Sequence, residues 1–163
     1  MSELFVGILG SVIGALIYAV FSDYVDYLLV YRKSEFTGYW RISILDKNGQ
    51  EIKIDYCHLL HDKRRGIIKG NIVREVPEKQ NYRKWYCNGA LIKDRIIVSF
   101  WSAKDSQKSD GSGYLFLVDD KRFEGIYMHG TFENKIETEN VILEKVKDVD
   151  KIKHVKKQLK NKN

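Results

Sequence analysis

TGYWRISILDKNGQEIKIDYCHLL, Thr37–Leu60, decides the fold. Trp40, Ile42 and Ile44 share one parity, with Tyr39, Arg41 and Ser43 on the other. Past the break, Ile52, Ile54 and Tyr56 alternate with Lys53 and Asp55. A period of two is the mark of a strand with two unlike faces. Asn48-Gly49 lies between the two runs, and both residue types accept positive φ, so the spacing predicts a tight hairpin.

The same pattern continues down the chain. GIIKGNIVREV (66–76), YRKWYCNGALIK (82–93), IIVSFWSAKD (96–105), GYLFLVDD (113–120), RFEGIYMHGTF (122–132) and ETENVILEKV (137–146) are each bounded by turn chemistry. With the first hairpin they make about eight strands at intervals near ten residues. The single proline, Pro77, falls in a connection, where its missing N–H costs no ladder bond. No helical run interrupts the strands, so parallel crossovers are excluded and sequence neighbours pair antiparallel. Short consecutive hairpins favour closure into an all-β, up-and-down meander barrel, just wide enough to hold one small ligand.

Ahead of the strands lies LFVGILGSVIGALIYAVF, Leu4–Phe21, eighteen residues without a charge. As a helix it would span roughly 27 Å, enough for a bilayer core. It lacks the polar stripe of a buried soluble helix and the basic start of a secretory signal. Tyr24, Tyr27 and Tyr31 recur at helical spacing, as suits a headgroup layer, and Arg32-Lys33 follow. The expectation is a single-pass transmembrane helix with the C-terminal body in the cytoplasm. Gly7, Gly10 and Gly14 share one face with Ser11 beside them, a small-residue surface suited to helix packing in lipid and hence to a homo-oligomer.

Charge divides the chain in the same place. It carries 28 basic and 22 acidic residues, net +6, yet no Lys or Arg precedes Arg32. The division is residues 1–33 as membrane anchor and interfacial collar, 34–147 as barrel, and 148–163 as a basic tail. In the tail Ile152, Val155 and Leu159 recur at helical spacing among lysines. That suits a short amphipathic helix against the membrane or a frayed soluble end. A basic body beside a membrane suits anionic headgroups or a phosphate-bearing ligand; no DNA or RNA polymer is expected.

No phosphate-binding glycine loop, serine elbow, metalloprotease helix or paired-cysteine motif is present, so no catalytic residue is assigned and no enzyme is expected. Cys57 and Cys87 fall in strands that are not neighbours and read as reduced thiols. His58 and His61, three apart in one strand, face opposite ways, so no shared metal site is expected. Ten Tyr, seven Phe and three Trp lie mostly in strands, where aromatics commonly fill a β core. Buried Tyr also needs a partner for its hydroxyl, and Arg or Lys neutralises phosphate. The candidate ligand-binding residues are Trp40, Tyr56, Arg74, Lys84, Tyr86, Trp101, Tyr127 and His129. The ligand reads equally as nucleotide-like or lipid-like.

Phe36-Thr37-Gly38-Tyr39-Trp40 resembles the G-x-W start of lipocalin-like barrels, in which the Trp closes one end. Across nearly the whole chain, the order of short anchor, acidic-aromatic collar and meander barrel resembles the SMODS-associated two-transmembrane, β-strand-rich effectors of CBASS antiphage signalling. That resemblance implies a barrel that senses a cyclic oligonucleotide, a second messenger acting as regulatory ligand with no other cofactor. It implies that the sensor controls self-association of membrane helices, and that the bacterial inner membrane is disrupted. The Gly7/Gly10/Gly14 face would assemble in the membrane. Family members typically have two membrane helices, whereas this chain has room for one. The other reading is a membrane-tethered lipocalin-like barrel for a lipid or other small apolar ligand.

Overall fold

The computed structural model describes residues 10–15, 17–18, 21–22, 24, 34–77, 83–104, 109–130 and 135–160. Eight strands follow in order: β1 (Gly38–Leu45), β2 (Glu51–Asp62), β3 (Ile67–Val76), β4 (Lys84–Ile92), β5 (Arg95–Ser102), β6 (Asp110–Asp119), β7 (Arg122–Gly130) and β8 (Ile136–Lys145). Each pairs antiparallel with the next, and β8 returns to β1, so the sheet closes as the alternation predicts. Closure leaves no exposed strand edge.

The meander gives the barrel two ends. Ser34, the β2–β3, β4–β5 and β6–β7 turns, and the end of β8 lie at one; the Asn48 turn and the facing strand ends Val76/Lys84, Ser102/Asp110 and Gly130/Ile136 lie at the opposite one. At the Ser34 end the interior is plugged. Trp40 is buried, donates its indole N–H to the Phe36 carbonyl at 3.0 Å and meets Phe123 edge-on at 5.8 Å. Phe36 also packs on Phe123 and His61. Ser34 Oγ lies 2.6 Å from His61 Nδ1, and Thr37 Oγ1 accepts from the His61 backbone N–H. The Trp of the GYW stretch therefore closes one end.

Three local expectations change. The first hairpin forms at Asn48-Gly49 as expected, but not with positive φ at both residues. Only Gly49 takes positive φ, while Asp46 Oδ1 accepts from the backbone N–H of Asn48 and Gln50 and holds a five-residue loop. β6 begins at Asp110 rather than Gly113, because Gly111 fits where a side chain could not. A Cβ there would strike the Met128 carbonyl and the Phe100 ring. The described part of the tail, 148–160, is neither frayed nor set apart. Helix α1 (Val149–Lys160) lies on the outside of the barrel, with Val155 fully buried against Tyr56 and Val73 and with Leu159 and Tyr39 at the margin. Asp148 caps it, its carboxylate accepting from the N–H groups of Asp150 and Lys151.

Among the described residues, no helix is long and apolar enough to cross a membrane. Of the run Leu4–Phe21, residues 10–15, 17–18 and 21 are described, and all are helical. Gly7, much of the expected span, and Tyr27, Tyr31, Arg32 and Lys33 lie outside the described residues.

Candidate functional site: a small cavity with one ion pair

Residues paired across antiparallel strands point to the same face. Trp40, Ile42 and Ile44 face inward, so their partners Cys57, Asp55 and Lys53 do too. Asp55 in turn pairs with Arg74 on β3. The inside of the barrel thus receives a carboxylate and a guanidinium at one level. It encloses a cavity of about 80 Å³, lined almost wholly by apolar side chains from all eight strands, among them Ile72, Val98, Phe100 and Leu143. Asp55, Arg74 and Tyr127 are the polar exceptions, beside two thiols.

Arg74 holds Asp55 through two parallel hydrogen bonds, Nε to Oδ1 and Nη2 to Oδ2, the second 3.0 Å long. Both side chains are buried. Burial raises the Asp55 pKa more than the facing guanidinium lowers it. Trp85 forms the next part of the wall. The guanidinium carbons of Arg74 and Arg83 lie 5.1 and 5.2 Å from its ring centroid, and its indole N–H donates to Ser109 Oγ at 3.2 Å. Tyr127 stacks on Phe100 with ring centroids 5.1 Å apart. Burial, and then the nearby Asp55 charge, push its phenol well above its ordinary pKa, so it stays protonated and presents an O–H. Burial also pushes the Cys87 thiol up to about 12 and Cys57 well above its usual value. Both act as small apolar lining.

Nearer the Asn48 end, His129 extends the polar wall. Its ring lies 4.9 Å from Tyr127, and its Nε2 is 3.5 Å from Glu139 Oε2, which Lys53 Nζ contacts at 2.9 and 3.0 Å through both oxygens of that carboxylate.

The eight candidate residues therefore divide. Arg74 and Tyr127 line the cavity, Trp40 closes one end and His129 stands toward the other. Tyr56 faces outward and is buried beneath α1. Its apolar neighbours misled parity, because α1 gives β2 a second buried face. Lys84, Tyr86 and Trp101 also belong to the outer face, where Tyr86 and Trp101 pack on each other at 6.4 Å, half exposed. Asp55 was missed. The signal was available: a lone carboxylate at the parity of Lys53 and Cys57, with an arginine at matching parity on the following strand. His58 stacks on Tyr39 at 4.5 Å while His61 lies in the plug, so the two are apart.

No family model matches the sequence, and no curated protein matches it. Among solved structures, a redesigned β-barrel matches with a TM-score of 0.53 at 12% identity, covering 73% of this chain and 98% of that one. The structure of EF1p2_mFAP2b bound to DFHBI matches with a TM-score of 0.51 at 8% identity, covering 69% and 94%. At such identities the likeness is one of fold.

Proposed function

We propose that this chain is a membrane-tethered binding barrel whose interior takes one small, mainly apolar molecule with a single polar end. The observation that carries this reading is the cavity itself: about 80 Å³, apolar on nearly every side, with the Asp55–Arg74 pair and the Tyr127 hydroxyl as its polar wall. A ligand's apolar part would displace little or no water, and its polar end would find a donor or an acceptor there. An apolar cavity of about 150 Å³ admits benzene, so the guest here is no larger unless the walls part. That the same fold holds DFHBI in EF1p2_mFAP2b supports the use of such an interior for a ligand.

The cyclic oligonucleotide implied by the family resemblance suits this interior less well. It is far larger than the cavity, and the inward guanidinium already faces a carboxylate that would repel phosphate. An antiphage effector role would use the same two parts, the barrel as sensor and the helix as output. The tether rests on the apolar run. Val12, Ile13, Ile17, Tyr18 and Phe21 are all about half exposed or more on the helical stretch. Each such side chain costs about 1.5–3 kcal/mol to leave in water rather than bury, and a bilayer removes that cost.

The test is the melting temperature of residues 34–163, which contain all eight described strands and the packed helix α1. The panel is small phenols and short alcohols, fatty acids, and cyclic di- and trinucleotides. A guest that binds only the folded state raises the melting temperature by mass action. A rise with the short alcohols, abolished by Val98→Phe, is expected. A rise with a cyclic nucleotide alone would overturn the small-ligand reading in favour of a signalling sensor.

A further inference from the structure

The end of the barrel at which Ser34 brings the chain in differs in charge from the other. Residues 61–67, 92–95, 118–122 and 145–147, which make this rim, hold nine basic and four acidic side chains. The described residues of the Asn48 end, 45–51, 76–77, 83–84, 102–104, 109–110, 130 and 135–136, hold five and three. The Ser34 rim also carries apolar tips. Ile92, at the end of β4, and Val118, near the end of β6, are 55% and 58% exposed. Between them, on the outer face, Ile92 pairs with Arg95 and Arg95 with Phe116, so a cation stands between two exposed apolar side chains. The Arg95 guanidinium lies 5.5 Å from the Phe116 ring centroid. Lys93 and Lys121 occupy the adjoining turns; Asp94 lies 3.6 Å from Arg95 Nε and Asp120 3.0 Å from Lys121 Nζ, both exposed pairs that water screens, and the rim keeps its surplus of cations.

Apolar tips among cations fit a surface that is anionic outside and apolar just beneath. Tips of this size can enter the acyl boundary while lysine and arginine stay at headgroup level. The position of the chain agrees. The chain enters the barrel at Ser34, on this rim, so the rim is the end nearest the apolar run along the chain. We propose that the β4–β5 and β6–β7 turns, through Ile92, Phe116 and Val118 with Lys93, Arg95 and Lys121, seat the barrel on an anionic lipid bilayer. The contact would fix the barrel's orientation and leave the Asn48 end facing away from the lipid. It rests on the tether reading for its geometry.

The full chain is reconstituted with vesicles of phosphatidylcholine alone or with one quarter phosphatidylglycerol. Val118→Cys or Asn48→Cys carries an environment-sensitive fluorophore, and the lipids carry a shallow nitroxide quencher. Buried Cys57 and Cys87 are shielded from labelling. Quenching at position 118 at least threefold stronger than at position 48, reduced by Lys93→Glu with Arg95→Glu and weaker without phosphatidylglycerol, is expected. Equal quenching at both positions, or none, in chain that floats with the vesicles overturns the seating and leaves the tether standing. Protection at position 118 that grows with protein concentration and ignores the quencher makes the patch a contact between copies, which also overturns it. Failure to float with phosphatidylcholine overturns the tether, and if strong quenching at 118 persists with phosphatidylglycerol the rim stands without it. Failure to float with either overturns both.

Discussion

Arg74 and Asp55 face each other from adjacent strands inside the barrel, joined by two parallel hydrogen bonds in a wall that is apolar apart from Tyr127 and two thiols. A buried pair of this kind adds little net stability over an apolar substitute, yet losing one partner is costly. Arg74→Met strands a carboxylate and should cost about 3–5 kcal/mol. Arg74→Met with Asp55→Leu should recover most of that loss while abolishing selectivity for the polar end of a ligand. Urea denaturation of the three chains checks the first statement, and melting shifts with isopropanol against dichloromethane, a polar-ended and a non-hydroxylic guest of similar size, check the second.

Glycine at 125 is a second constraint on the wall. An added Cβ would overlap the Tyr114 carbonyl oxygen and lie 2.7 Å from the Leu115 Cα. Both are backbone in the neighbouring strand and cannot swing aside as a side chain would. Gly125→Ala should therefore destabilise by about 1–3 kcal/mol or more, as overpacking does. Gly130→Ala, where an added Cβ meets nothing within 4 Å, serves as the control and should change stability little. Equal midpoints for the two variants would contradict the close approach of β6 and β7.

Much of this wall was legible in advance. Period-two alternation and short turns carried the strand number and the meander, because a closed barrel asks every strand for the same two faces. Trp40, Arg74, Tyr127 and His129 come inward by that parity. Tyr56 does not, since α1 buries the outer side of β2 and hides which apolar set is the inner one. The pairing of Asp55 with Arg74 depends on register between strands, which the alternation of one strand does not contain. Cavity volume depends on side-chain packing around the whole ring and has no local signature.

Acid should loosen both the plug and the seat of α1. Burial lowers the pKa of His61, beside Ser34, and of His58, where Lys156 adds to the effect. A histidine whose pKa is lower folded than unfolded binds its proton more readily in the unfolded chain. Its stabilising contribution is present above about 6.5 and is lost as pH falls below that value toward the folded pKa. Denaturation midpoints at pH 7.5 and 5 should show the loss, and His58→Gln with His61→Gln should flatten it. A wild-type midpoint that holds or rises on acidification would count against this account.

Gly10 and Gly14 test the proposed membrane role of the apolar run without disturbing the barrel. A side chain added at either meets nothing within 4 Å, so neither glycine is held by contact with the folded body. In lipid, small residues let helix backbones approach closely, and larger ones hold them apart. Gly10→Leu with Gly14→Leu should therefore leave the melting temperature of the barrel unchanged while removing crosslinked oligomers of the full chain in vesicles. The double change also makes the run more apolar, so membrane association itself should persist. Loss of flotation would mean that the glycines serve insertion. Unchanged crosslinking would take the Gly10/Gly14 face out of assembly and leave the run as a tether alone.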